Sequence, residues 1–219
     1  MLLHGYLSSK EAFTAQMEYF SKFYRVTAID FLGFGHTMAL TKPFSVDDYA
    51  QWLKDVMLKL RIKKPHVIAH SFGCRVAIKA ASEDAQLFDK IVLTGPAGII
   101  VNRGFKYKCK VRLYRLVRRF FPRFAERRFG SKEYRSLPPM MKESYKKIVN
   151  QDLRDCAAKV KNQVLIVQGE SDGVTTMQEA KVYERALVNG RLVTMPGGHF
   201  AFVERPIIFN LTVEEFLYG

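Results

Sequence analysis

The segment from 65 to 81 most constrains what this chain can fold into. An apolar run, Pro65-His66-Val67-Ile68, leads directly into Ala69-His70-Ser71-Phe72-Gly73. A helix-like run, Cys74-Arg75-Val76-Ala77-Ile78-Lys79-Ala80-Ala81, follows with no linker. A strand that becomes a helix within so few residues makes a very tight turn. The residues two before and two after the serine must be small, or their side chains collide. Ala69 and Gly73 meet that demand, with Ala69 standing where Gly is commoner. The turn pushes the Ser71 hydroxyl out above the strand end and aims a helix N-terminus at it.

Periodicity extends this local reading to the whole chain. It predicts helices near 9–22, 45–61, 73–82, 176–187 and 203–217, and strands near 1–3, 25–29, 65–70, 89–94, 163–168 and 191–195. Ser45 before Val46-Asp47-Asp48 reads as an N-cap with acidic first-turn residues. Alternating strand and helix argues an α/β fold, a mainly parallel sheet with helices on both faces. Residues 98–150 break the rhythm. The 219 residues, 48% of them hydrophobic, suffice for one such domain.

A serine hydroxyl is a weak nucleophile and needs a base, which an acid must orient. Val164-Leu165-Ile166-Val167 reads as a buried strand ending in Gln168-Gly169-Glu170-Ser171-Asp172-Gly173. Leu192-Val193-Thr194-Met195 ends in Pro196-Gly197-Gly198-His199-Phe200. Asp172 and His199 thus each follow the C-terminal end of a strand, where open α/β sheets carry their sites. Glu170 competes with Asp172 for the acid role in the same loop, and Asp172 is preferred. At the start, Leu3-His4-Gly5-Tyr6 follows Met1-Leu2. An oxyanion formed at Ser71 needs backbone N–H donors, and Phe72 and Tyr6 are placed to supply them. Asp30 reads as the residue that ties down its own loop through backbone bonds. His4 reads as a structural hydrogen-bonder, His36 and His66 as structural or solvent-facing, and Trp52 as helix packing. His70 is open to a role in shape or in substrate contact.

Five motifs in this order resemble the α/β-hydrolase superfamily of the Ser-Asp-His type with a cap insertion. They are His-Gly at 4–5, Asp-x-x-Gly-x-Gly-x-Thr at 30–37, the elbow at 69–73, Gly-x-x-Asp at 169–172 and Gly-His at 198–199. Together they cover essentially the whole chain. The resemblance implies Ser71 as nucleophile, His199 as general base and Asp172 as its orienter. Backbone amides of Tyr6 and Phe72 would form the oxyanion hole. It implies an α/β-hydrolase core at 1–97 and 151–219, with a helical cap at 98–150. Family members carry two further strands before the His-Gly strand, and these are expected to be missing here. The implied chemistry is a serine hydrolase that cleaves a carboxylic ester or related acyl bond, with no cofactor and no metal. Carbon–carbon bond hydrolases, thioesterases and lipase-like enzymes share the triad. An inert binding protein on the same fold is the alternative from another class. Ser at 71 argues against the haloalkane dehalogenases and epoxide hydrolases of the family, which use Asp there.

Charge separates the insertion from the rest. The chain carries a net charge of +14, and residues 101–150 hold 16 Lys and Arg against 3 Asp and Glu. Leu113, Leu116, Val117, Phe120, Phe121 and Phe124 recur at helical spacing, with Arg112, Arg115, Arg118, Arg119 and Arg123 between them. That is a basic amphipathic helix. It predicts a roof over an apolar acyl substrate, and peripheral contact with an anionic membrane through 106–129. No nucleic-acid-binding motif accompanies the charge, so no nucleic-acid partner is expected. No apolar run is long enough to span a bilayer, and the apolar start is too short for a signal peptide. Cys74, Cys109 and Cys156 lack metal or redox spacing and read as free thiols of a cytoplasmic protein.

Overall fold

The computed structural model describes residues 1–101 and 137–219. The strands are β1 (Leu2–Leu3), β2 (Ala28–Ile29), β3 (Val67–His70), β4 (Ile91–Thr94), β5 (Gln163–Gly169) and β6 (Asn189–Met195). They form one sheet in the order β2-β1-β3-β4-β5-β6, with every pairing parallel. The helices are α1 (Thr14–Phe20), α2 (Val46–Lys59), α3 (Phe72–Glu83), α4 (Pro139–Val149), α5 (Arg154–Ala157), α6 (Met177–Ala186), α7 (Ala201–Glu204) and α8 (Pro206–Tyr218).

Period-two alternation divides the core into two layers. Leu3, Val67, Ala69, Ile91, Leu93, Val164 and Ile166 face one side, where Tyr49 and Leu53 of α2, Val76 of α3 and Tyr183 of α6 cover them. Leu2, Ile68, Val92, Leu165 and Val167 face the other, against Phe13, Phe20 of α1, Phe202 of α7 and Phe209 of α8. The strands carry apolar side chains on both faces because helices bury both. All six strands point the same way, so the loops after β1, β2, β3, β5 and β6 gather at one end of the sheet.

Ser45 caps α2 as the sequence predicts. Its amide donates to Asp48 Oδ2 (2.7 Å), while the Asp48 amide donates to Ser45 Oγ (3.2 Å). Several boundaries differ from the periodicity. The predicted helix at 9–22 is a 3₁₀ turn, Lys10–Phe13, followed by α1, which ends at Phe20. The predicted strand at 25–29 pairs only over Ala28–Ile29. The predicted helix at 203–217 is two, α7 and α8. Pro206 stands in the first turn of α8, where its missing N–H costs nothing.

Periodicity marks no helix at α4 or α5, although α4 falls within the segment 98–150 that the resemblance makes helical. The inner face of α4 is Met141, Ser144 and Ile148, and the polar middle member interrupts the apolar stripe. Ser144 is buried because its hydroxyl accepts the Phe44 amide (2.8 Å) and donates to the Met140 carbonyl (3.0 Å). The buried Arg75 of α3 holds the far end of α4, donating through one guanidinium nitrogen to the Ile148 and Gln151 carbonyls (both 2.9 Å). The predicted basic helix around 112–124, and Cys109, lie outside the described residues.

Candidate active site

Ser71 joins β3 to α3 with φ 49° and ψ −104°, a backbone conformation that costs a non-glycine residue about 1–3 kcal/mol. Tertiary bonds hold it there. The Ser71 amide donates to the Thr94 carbonyl (3.1 Å), and the Cys74 amide donates to the Ser71 carbonyl (3.1 Å). The size rule of the motif has a visible cause. A Cβ on Gly73 would run into the carbonyl oxygen of Leu3, because α3 starts directly against β1. Phe72 is the first residue of α3, so its N–H has no partner within the helix and lies at the positive end of the dipole.

Asp172 and His199 meet beside this turn. His199 Nδ1 is 2.8 Å from Asp172 Oδ2. A carboxylate only accepts, so Nδ1 carries the hydrogen of this bond. Asp172 takes four further bonds. Oδ1 accepts the amides of Val174 (2.8 Å) and Thr175 (2.9 Å). Oδ2 also accepts the Thr175 hydroxyl (2.8 Å) and Gln168 Nε2 (3.2 Å). Burial works to raise the carboxyl pKa, but the bonds from His199 and Thr175 outweigh it and hold it down at about 2. Glu170, the rival acid, is exposed.

The loop after β1 is anchored from beneath. The Phe31 amide donates to His4 Nε2 (3.0 Å), so His4 Nδ1 carries the hydrogen and donates to the Gly5 carbonyl (2.7 Å). The ring is fully buried, and burial lowers its pKa. The Tyr6 ring packs edge-on against Phe34 (4.9 Å) and Phe72 (5.6 Å), and its hydroxyl donates to the Met141 carbonyl (3.0 Å). The two residues expected to supply oxyanion donors are therefore neighbours. Asp30 accepts the amides of Lys10 (2.7 Å) and His36 (3.1 Å), which ties its loop down as expected. Trp52 packs against Phe31 (5.9 Å).

His70 is buried at the elbow. It is 1% exposed, and its Nε2 is 3.0 Å from the His199 carbonyl. Among the described residues, Glu11, Asp30 and His36 are the group whose ligand atoms lie close enough to hold a metal ion. Asp30 Oδ2 there already takes the His36 amide, with the Lys10 ammonium 3.6 Å away.

Sequence reasoning missed Gln168 and Thr175. Each carries a signal in retrospect. Gln168 is a polar residue closing an apolar strand, and Thr175 follows Asp172 at the spacing of a side-chain-bonded turn.

Comparison with known proteins agrees with this architecture. The sequence profile described as "alpha/beta hydrolase fold" matches residues 1–142. A probable lysophospholipase, BODYGUARD 3 of Arabidopsis thaliana, is 29% identical over 115 residues, covering 48% of this chain and 22% of that protein. The (E)-2-((N-methylformamido)methylene)succinate hydrolase of Acinetobacter baylyi is 33% identical over 73 residues, 33% of this chain and 28% of that one. The matched part thus spans about a quarter of these curated relatives. Among solved structures, a membrane phospholipase A described as a bacterial virulence factor aligns with a TM-score of 0.81 at 18% identity, over 100% of this chain and 77% of that one. An esterase from Exiguobacterium antarcticum aligns with a TM-score of 0.78 at 20% identity, over 100% and 91%. Elbow, sheet order and family profile agree: the chain belongs to the α/β-hydrolase fold family.

Proposed function

We propose that the protein is a serine hydrolase that cleaves a carboxylic ester through an acyl-enzyme, with Ser71 as nucleophile, His199 as general base and Asp172 as its orienter. The observation that carries this reading is the 2.8 Å bond from His199 Nδ1 to Asp172 Oδ2, with the His199 ring packed (4.7 Å) on that of His70, the residue before a serine held at φ 49° on a helix N-terminus. His199 Nε2 takes the Ser71 proton as Oγ attacks the carbonyl carbon. The amides of Tyr6 and Phe72 stabilise the oxyanion. His199 then protonates the departing alcohol and activates the water that releases the acid. Residues 1–97 and 151–219 form the catalytic core, and 98–150 the cap. The bond from the Tyr6 hydroxyl to Met141 in the insertion supports that division.

The substrate we favour is an apolar acyl ester of lipid type. Exposed Leu7, Val174 and Phe200 follow the three site loops closely and would line an apolar rim. Relatives named as lysophospholipase and phospholipase act on esters of this kind. The net charge of +13 in residues 101–150 suits an anionic membrane surface, reached through 106–129. Among the described residues no helix is long and apolar enough to cross a membrane.

Hydrolysis of p-nitrophenyl esters from acetate to laurate, by wild type and Ser71→Ala, tests the reading. Turnover that rises with chain length and is lost in Ser71→Ala supports it. Turnover retained in Ser71→Ala refutes the nucleophile. A folded wild type that neither turns over esters nor reacts at Ser71 with a fluorophosphonate refutes the enzyme.

A further inference from the structure

Among the described residues, two buried imidazoles at the active end of the sheet take no part in the proposed chemistry, His4 and a second one, and only the second has a ring nitrogen without a hydrogen-bond partner. That ring belongs to His70, the residue immediately before Ser71. Its Nε2 lies 3.0 Å from the His199 carbonyl oxygen. A carbonyl only accepts, so Nε2 carries the hydrogen and Nδ1 the lone pair. Nδ1 has no hydrogen-bond partner. It faces the backbone of Gly5 instead: a Cβ on Gly5 would lie 2.7 Å from Nδ1 and 3.5 Å from the Ser71 Cβ. The ring itself packs against His199 (4.7 Å), Phe200 (4.8 Å) and Phe202 (4.8 Å).

One side chain therefore touches three loops at once. Its own backbone begins the elbow, its Nε2 holds the main chain of the base-bearing loop, and its Nδ1 edge lies flat on the loop that precedes Tyr6. We propose that His70 is a positioning residue that sets the His199 backbone relative to Ser71 and the oxyanion loop. The side chain of His199 is fixed by Asp172, and the flanking backbone is held by the Ser171 amide on the Gly197 carbonyl (2.9 Å) and by the Gly198 amide on Glu204 Oε2 (2.8 Å), but none of these bonds reaches the His199 carbonyl. The bond from His70 is the one that ties the His199 carbonyl to the elbow. Burial, and then the neighbouring His199, lower the His70 pKa to about 3, so the ring stays a neutral single donor at working pH.

This inference rests on the triad reading, and the test separates the two. Full-length wild type, His70→Phe, His70→Gln, His70→Asn and Ser71→Ala are compared in p-nitrophenyl butyrate hydrolysis, in fluorophosphonate labelling rate and in melting temperature. Phe fills the ring space without a donor, and Gln places an amide N–H near the Nε2 position. Asn places its N–H too far back to reach the carbonyl. His70→Phe is expected to lower kcat and the labelling rate about 100-fold with KM nearly unchanged, the scale of a misplacement of about 1 Å. His70→Gln is expected to recover at least tenfold of that loss at an equal melting temperature, and His70→Asn to recover none. A His70→Phe that keeps kcat within twofold overturns the proposal. So does a His70→Asn equal to His70→Gln, which decides the matter even where Phe fails to fold. Turnover surviving in Ser71→Ala, or a wild type without turnover and labelling, overturns the triad reading and this proposal with it.

Discussion

Asp172 Oδ2 and His199 Nδ1 stand 2.8 Å apart on two loops that follow the neighbouring parallel strands β5 and β6. The pairing of Gly169 with Met195 at the ends of those strands sets the spacing between the loops. The carboxylate meets the imidazole already loaded with four other donors, from Gln168, Val174 and Thr175. Such a carboxylate cannot swing away, so the ring it holds has one orientation.

Thr175 donates to the same carboxylate oxygen as His199 and lies 3.2 Å from His199 Nδ1. Thr175→Val keeps the shape and removes the hydroxyl. The expected result is a fall of about tenfold or more in kcat, as for other positioning partners. Steady-state kinetics on the preferred ester measure it; an unchanged kcat shows that the two amides on Oδ1 suffice.

Acid stability follows from Asp172. Its folded pKa, about 2, is below the ordinary value of 3.8. The ionised form is therefore favoured by folding, and this contribution is complete above about pH 4 and lost as pH falls towards 2. It amounts to about 2 kcal/mol. Denaturant titrations of wild type and Asp172→Asn should differ at pH 7 and converge across that window.

His70 acts in a higher window. Its folded pKa, about 3, lies below the ordinary 6.5, so the unfolded chain binds the extra proton. Stability is then full above about pH 6.5 and declines as pH falls towards 3. His70→Gln should flatten that decline by about one proton. An identical slope would mean that His70 is charged in the folded state.

Backbone strain at Ser71 predicts an exchange of function for stability. Glycine adopts φ 49° without a Cβ penalty, while alanine keeps the penalty. Ser71→Gly should therefore melt higher than Ser71→Ala, by about 1 kcal/mol, with both inactive. Differential scanning calorimetry of the two variants gives the sign directly.

Arg75 ties the end of α4 to α3 through two carbonyls, each about 1.5–3 kcal/mol when the donor is charged and buried. Arg75→Met should destabilise the protein by about 2–4 kcal/mol and loosen residues 139–151 first. Hydrogen exchange should show lost protection there and little change in β3–β5.

By itself the sequence determined what neighbouring residues decide. The small residues around Ser71, the cap at Ser45 and the strand-to-loop endings before Asp172 and His199 are all local sterics and hydrogen bonding. They are legible because the interacting groups lie within a few residues of each other. Tertiary structure alone decided the rest. The preference for Asp172 over Glu170 was legible, but the 2.8 Å contact with His199 depends on the register in which β5 and β6 pair, which a ladder between distant residues sets. Gln168 and Thr175 gained their partners from that same closure. In sequence His70 is open to a role in shape or in substrate contact. Only the fold brings the His199 carbonyl to its Nε2 and the Gly5 backbone to its Nδ1. Ser144 hid α4 for the same reason: its buried hydroxyl is satisfied by Phe44, a hundred residues away.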